Sequence, residues 1–335
     1  MLKERTSLSK NTVNELEAFI TQPFPLNNAV ALAHKTSEYD AQGSALWNSA
    51  TKIVRDFPQD EDNDALTRRS DLFRVGSLLR CFAFFMLDAA HNPSSHRTKD
   101  LEQRSRNFRI GLKASRSCLD NDELDLAIKI LETCSKYVAT WEDASPVMRI
   151  HDTEVDFEQA VISRILTEYF LLRMLHASRV GRHDMANHFF LKADVKSKRQ
   201  SSLSETAAEL CYEIGHSQIE EGNRDLALLW LDRARGLLDS NDSVSTPPES
   251  EDLRLAIVSS LVEVLVSSSE VEAINRACTV LTELENNHGL GNRMAVLVMK
   301  FNVAMKSSPG DISAVTAILL RMIRSCVLTD STYVT

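Results

Sequence analysis

Apolar residues recur at intervals of three and four along most of the chain, which is the spacing of amphipathic helices. Residues 72–90 are apolar almost all round and a proline follows at 93, so they predict a buried helix that ends near residue 90. Before it, the pattern predicts a short helix at 14–20 and a helix pair over 27–57 that turns at Gly43. In total the periodicity predicts about eleven helices.

The C-terminal part of the chain predicts two further helix pairs. Residues 253–285 carry one apolar pattern, after a serine- and proline-rich loop at 239–251. Residues 294–327 carry the other, which is interrupted at Ser308-Pro309-Gly310. Asp311 follows this interruption, where a carboxylate can accept a hydrogen bond from a free amide of the first helical turn, so we expect it to be an N-cap.

Three segments in the middle of the chain repeat one plan, in which two helices with small and apolar positions flank a turn. The clearest is 208–241, where Gly215 in the first helix, Gly222 in the turn and the small residues of the second helix fit the tetratricopeptide (TPR) pattern. Small residues at such positions let two antiparallel helices approach closely. Related units run over 108–141 and 167–200. Their uneven spacing makes the repeats degenerate.

This organisation predicts an all-α fold, an α-solenoid of degenerate TPR-like helical hairpins. We divide the chain into an N-terminal helical region, 1–100, which contains the buried helix 72–90, and a TPR-like array, 101–335. Only 10 glycines and 8 prolines occur in 335 residues. All-β folds with many tight turns require more of both.

Charge and cysteine content narrow the function classes. The chain has 38 Lys and Arg against 47 Asp and Glu, a net charge of -9, so bulk attraction to nucleic acid or to an anionic membrane is not expected. Six scattered cysteines without a C-x-x-C pair fit a reducing compartment better than a disulfide framework or a zinc site. The polar start lacks the apolar segment of a secretory signal, and no apolar run is long enough to span a membrane. We expect a soluble, intracellular protein.

Sequence motifs for catalysis or metal binding are incomplete. Residues 215–219 begin like a nucleophile elbow, but an isoleucine replaces the required glycine and the segment lies within a predicted helix. The acidic segment 60–71 lacks the glycine of a calcium loop and is better interpreted as a solvated acidic loop. His176, His183 and His188 do not have the spacing of a metal site. We therefore expect no enzymatic activity, no metal and no cofactor.

One basic helix face is the candidate partner-binding site. Arg106, Arg109, Lys113 and Arg116 follow the spacing i, i+3, i+7, i+10 on one helix face, within a segment of net charge +5. Such a face suits an acidic segment of a partner or a phosphate backbone. It also suits a solvated outer face, which is the more ordinary interpretation. Base stacking requires aromatic residues among the charges, and Phe108 points off this face.

Two short segments resemble a known family. The first is Ala45-Leu46-Trp47-Asn48-Ser49-Ala50, and about 35 residues later comes Ala83-Phe84-Phe85-Met86-Leu87-Asp88-Ala89-Ala90 within segment 80–90. In this order, with degenerate TPRs behind them, they resemble the meiosis-specific TPR scaffolds of the sporulation/synapsis group, the Spo-twenty-two and Zip-four type. Met86 stands where the family more often has leucine. As apolar motifs, both also predict that Trp47 and Phe84 are core residues.

The resemblance implies a nuclear, chromosome-associated and non-enzymatic scaffold in meiotic crossover formation and synaptonemal complex assembly. The implied partners are other proteins, namely XPF-like crossover factors and synaptonemal complex components, while direct binding of nucleic acid is not expected. Family members are considerably longer, which raises the expectation that this chain is a truncated form. Leu319, Leu320 and Ile323 would then be exposed and sticky, since terminal repeats need a polar outer face.

A general TPR adaptor or co-chaperone, which binds peptide segments of other proteins, is the alternative function. Such a protein would clamp a terminal carboxylate with cationic side chains inside its groove. Arg224, Arg233 and Arg235 occupy turn or outer positions of the best repeat, so they do not form a convincing clamp.

Overall fold

The computed structural model describes residues 36–55, 63–90, 100–144, 153–197, 201–239, 248–268, 270–307 and 310–325. Within these ranges the protein is all-α, as predicted, with twelve α-helices and one short 3₁₀ turn. The chain divides into two compact units, residues 1–196 and 197–335. The predicted division near residue 100 stays a prediction, and helices on either side of it pack together.

The described part of the first unit consists of α1 (Thr36–Arg55), α2 (Asn63–Ala90), α3 (Asp100–Asp120), α4 (Leu124–Ala144), α5 (Thr153–Arg179) and α6 (His183–Ser197). Neighbours in the chain pack together from α1 through α5, and α3 also packs against α5. Contact between next-but-one helices as well as neighbours is the packing of stacked helical hairpins.

The predicted turn at Gly43 is wrong, because Thr36–Arg55 is one continuous helix. Gly43 is buried where α1 meets α2. A Cβ at Gly43 would lie 2.9 Å from Cγ of Leu87 and 3.2 Å from the carbonyl oxygen of Ala83. Glycine at this position therefore permits a close approach of two helices. The predicted helix at 14–20 lies outside the described residues.

Helix α2 ends at Ala90 as predicted, although it begins earlier than predicted, at Asn63. Phe84 is fully buried, which confirms its predicted place in the core. Trp47 is only half-buried, and the guanidinium of Arg80 lies 5.7 Å from its ring centroid. An arginine over an aromatic face shields part of that face from solvent.

An aromatic core holds α3, α4 and α5 together. The ring centroid of Phe108 lies 5.0 Å from that of Trp141 and 5.7 Å from that of Tyr169. Next to this cluster, the hydroxyl of Tyr137 donates a hydrogen bond of 2.6 Å to Oδ1 of Asp88. Burial, together with this carboxylate, raises the pKa of Tyr137. Asp88, part of the segment that resembles the family, thus links α2 to α4.

The described part of the second unit consists of α7 (Ser201–Glu220), α8 (Arg224–Asp239), α9 (Pro248–Ser267), α10 (Val271–His288), the 3₁₀ turn Leu290–Asn292, α11 (Met294–Ser307) and α12 (Ile312–Ser325). Neighbouring helices pack together, and so do the next-but-one pairs α7 with α9 and α9 with α11. The predicted N-cap is confirmed, since Oδ1 of Asp311 accepts a hydrogen bond of 3.1 Å from the amide of Ala314.

The three predicted repeat units are hairpins with left-handed residues at their turns. Asp122, Gly181 and Gly222 have φ angles of 60°, 73° and 78°. Glycine takes this conformation without steric cost, and aspartate tolerates it better than most residues. The prediction of these three hairpins from small residues and turn residues is therefore confirmed.

Polar side chains fix α12 to the rest of the second unit. Nη2 of Arg321 on α12 donates to Oε1 of Glu285 at 2.7 Å and to the carbonyl oxygen of Gly291 at 3.0 Å. Lys300 also bonds to Glu285, and these hydrogen bonds lower the pKa of Glu285. Helix α12 has no buried side chain. Leu319, Leu320 and Ile323 are exposed, as predicted.

Candidate partner-binding surfaces

Helix α3 carries the predicted basic face and is fixed by its opposite side. Asn107 and Phe108 are fully buried, and Nδ2 of Asn107 donates to the carbonyl oxygen of Leu87 at 3.3 Å. At Gly111 a Cβ would lie only 2.7 Å from Sγ of Cys134, so α3 and α4 are in close contact. The inner side of α3 therefore packs in the core, and its outer side faces solvent.

The four predicted cations lie on this outer side, but they are not equivalent. Arg106, Arg109 and Lys113 are exposed, and within the described residues they have no acidic partner. Arg116 is partly covered and pairs with Asp120 at 2.7 Å. The free cations therefore extend from Arg106 to Lys113, about 10 Å along the helix axis.

The structure also shows where the other motifs considered in the sequence lie. Residues 215–219 lie within α7, as expected of a segment that is not a nucleophile elbow. His176 is buried and donates from Nε2 to the carbonyl oxygen of Leu124 at 3.2 Å, and burial lowers its pKa. His188 is exposed against the ring of Phe189. In the described ranges no three His, Cys, Asp or Glu side chains are grouped to hold a metal ion. Residues 60–62 of the acidic segment lie outside those ranges.

The three arginines of the alternative clamp are engaged within the second unit. Arg235 binds Glu283 at 3.1 Å, and the guanidinium of Arg233 lies 4.6 Å from the ring centroid of Trp230. Arg224 lies 3.9 Å from Glu270. These contacts agree with the prediction that the arginines occupy turn or outer positions.

An apolar groove in the second unit was not predicted from the sequence. It has a volume of about 850 Å³ between α9 and α11, and the residues that line it include Val262, Val266, Met294, Val298 and Met305. The available signal was the excess of apolar residues on α11, more than one core-facing side needs. No single helix pattern could reveal that two such sides face each other.

The described helices define an all-α protein built from stacked hairpins, and none of them combines the length and the apolar character needed to cross a bilayer. Residues 176–334 match the family described as Meiosis protein SPO22/ZIP4 like. The match covers just under half of the chain; over these residues it confirms the family resemblance and indicates a role related to meiosis. The match begins in the last turn of α5, so both motifs in 45–50 and 80–90 precede it. No curated protein and no solved structure matches the chain.

Proposed function

We propose that this protein is a non-enzymatic scaffold that acts on meiotic chromosomes in the nucleus and promotes crossover formation and synaptonemal complex assembly by holding partner proteins together. The observation that carries this proposal is the match of residues 176–334 to the SPO22/ZIP4-like family. Stacked helical hairpins support it, because repeats of this kind present extended surfaces that bind segments of other proteins.

The surroundings of the titratable groups support a non-enzymatic role. Tyr137 bonds to Asp88, His176 bonds to a backbone carbonyl, and Glu285 bonds to Lys300 and to an arginine of α12. Groups with shifted pKa values in an active site usually converge on one cleft. The hydrogen bonds of these three groups join helices at separate places, which favours a structural use.

Within the scaffold, the basic face of α3 binds an acidic segment of a partner protein. Arg106, Arg109 and Lys113 are exposed cations on one face without an acidic partner among the described residues. Phe108 is buried in the core, so it is not available to stack on a base. This favours an acidic protein segment over nucleic acid as the partner.

The scaffold proposal is tested by affinity purification of the tagged protein from cells entering meiosis, with vegetative cells as the control. We expect crossover or synaptonemal complex proteins in the meiotic sample alone. Recovery of chaperones alone in both samples would refute the proposal and favour the general TPR adaptor.

The basic face is tested in the same cells with Arg106→Glu and Arg109→Glu combined. Each exposed ion pair contributes up to about 1 kcal/mol, so reversing two charges predicts roughly a tenfold loss of affinity for a partner bound here. The matched control reverses Lys136 and Arg182, two exposed cations elsewhere in the first unit. Equal recovery of all partners with both double variants would show that the basic face is only solvated.

A further inference from the structure

The apolar groove of the second unit runs between two helices of the same direction. Helices α9 and α11 are each joined to α10 by a short connection, so each is antiparallel to α10 and the two are parallel to each other. The groove follows α11 over residues 294–306, about 18 Å of helix. Its volume of about 850 Å³ lies within the range of clefts that hold ligands, roughly 300–1,000 Å³.

The groove has an apolar floor and apolar walls that remain open to solvent. Val262 and Met299 are buried at its floor. Met294, Val298 and Met305 on α11 are 36%, 40% and 44% exposed. Exposed apolar side chains beside a cleft are available to an apolar partner, and unbranched methionine side chains adapt to apolar groups of different shape.

The rim of the groove carries polar side chains that have no partner in the described part of the unit. Glu263, Asn302 and Lys306 are exposed lining residues, and in the described part of the chain their side chains have no hydrogen-bond or ion-pair partner. Some other charged residues of the unit are paired, for example Arg293 with Glu251 at 2.9 Å. A carboxylate and an ammonium group are thus available beside an apolar floor.

We propose that this groove binds an amphipathic α-helical segment of another protein. Three turns of helix fit along the groove, with apolar side chains at i, i+3 or i+4 and i+7 inserted between α9 and α11. The segment presents a lysine or arginine to Glu263 and an acidic side chain to Lys306. A cation near Glu263 also suits the charge of residues 197–335, which contain 12 Lys and Arg against 19 Asp and Glu. This inference rests on the proposed scaffold function and names the kind of partner segment that it binds.

The test begins with the purified full chain and a displayed library of random 16-residue peptides. We expect enriched peptides to carry aliphatic or aromatic residues at helical spacing together with a lysine or arginine. An enriched peptide, synthesised with a fluorescent label, is then titrated with the protein and binding is followed by anisotropy. Failure to enrich such peptides would overturn the proposal.

Variants then locate the binding site. Val298→Glu and Met305→Glu, made separately, are expected to weaken peptide binding at least tenfold, because each places a charge in the apolar wall. Val271→Glu is the matched control, since Val271 is an exposed valine of the same unit outside the groove. Circular dichroism and thermal unfolding establish that each variant is folded. An equal loss of binding in the control, or no loss in either groove variant, would overturn the proposal.

A charge swap tests the orientation of the segment. Glu263→Lys should weaken the lysine-bearing peptide and restore binding to a peptide with glutamate at that position. Sedimentation of the wild-type protein tests whether the occupant is a second copy of the chain. A dimer that Val298→Glu dissociates would overturn the proposal in favour of self-association. Because these experiments use only purified protein and peptides, they can fail while the meiotic purification succeeds, and the reverse.

Discussion

Replacing Gly215 by alanine is expected to loosen the hairpin of α7 and α8, although alanine is the better helix former. The added Cβ would lie 2.9 Å from Cγ and 3.0 Å from Cδ2 of Leu231. The side chain of Leu231 is fully buried, so it has little room to move. The new methyl group therefore overpacks the contact between the two helices.

The expected magnitude follows from two opposing terms. Alanine is favoured over glycine inside a helix by about 1 kcal/mol. A methyl group forced into a well-packed core costs about 1–3 kcal/mol. We therefore expect Gly215→Ala to destabilise the hairpin by about 1 kcal/mol. In a Leu231→Ala background, where the obstructing side chain is absent, the same substitution should instead stabilise it by about 1 kcal/mol.

Gly236 on α8 provides the matched control. A Cβ there would meet nothing within 4 Å, so Gly236→Ala should stabilise the helix by about 0.5–1 kcal/mol. Hydrogen exchange with mass spectrometry, read on peptides from α7 and α8, gives the free energy of local opening without assuming that both units unfold together. If Gly215→Ala increased protection as much as Gly236→Ala does, the close contact with Leu231 would be refuted.

Three further predictions concern polar and exposed groups. Tyr137→Phe removes the hydrogen bond to Asp88 and should lower the free energy of unfolding by about 1–3 kcal/mol, measured by urea denaturation; an unchanged value would contradict this. Glu285 has a lowered pKa when folded, so its contribution is present at neutral pH and is lost as the pH falls below the ordinary value of 4.5. Glu285→Gln should therefore flatten the loss of stability in acid, measured by thermal unfolding against pH, whereas an unaltered acid profile would exclude this role. The exposed apolar residues of α12 are expected to promote self-association, so Leu319→Lys combined with Ile323→Lys should reduce concentration-dependent association in sedimentation. Equal association of the wild type and the variant would contradict this expectation.

Local sequence was sufficient to predict a structural feature where the position of a residue along the chain allowed only one interpretation. The turns at Asp122, Gly181 and Gly222 have left-handed backbone, and the sequence indicates them because a turn-forming residue there lies between two segments of helical periodicity. Asp311 likewise precedes a helix start and serves as its N-cap. Gly43 could not be interpreted in this way, because a glycine that permits a turn looks the same as one that permits a close helix contact. Only the position of Leu87 on another helix distinguishes the two uses.

Of the two candidate surfaces, the basic face could be predicted from the sequence and the apolar groove could not. The basic face lies on one helix, so periodicity predicts it, and the pairing of Arg116 with Asp120 follows from their four-residue separation. The groove combines α9 with α11, which are separated in the sequence by all of α10. Val266 and Val298 each occupy a partly exposed position of the kind found on an ordinary amphipathic helix. Their opposition depends on the packing of three helices, which no local pattern contains.

The close helix contacts at Gly43, Gly111 and Gly215 have a consequence for how this sequence can change over time. At these three positions any side chain beyond hydrogen would meet a neighbouring helix. Most other core positions require only an apolar group of about the right volume, and they tolerate exchange among such groups. Substitution can therefore alter much of the chain while the hairpins keep their packing. We expect the repeats to lose their resemblance to one another long before these glycines are replaced.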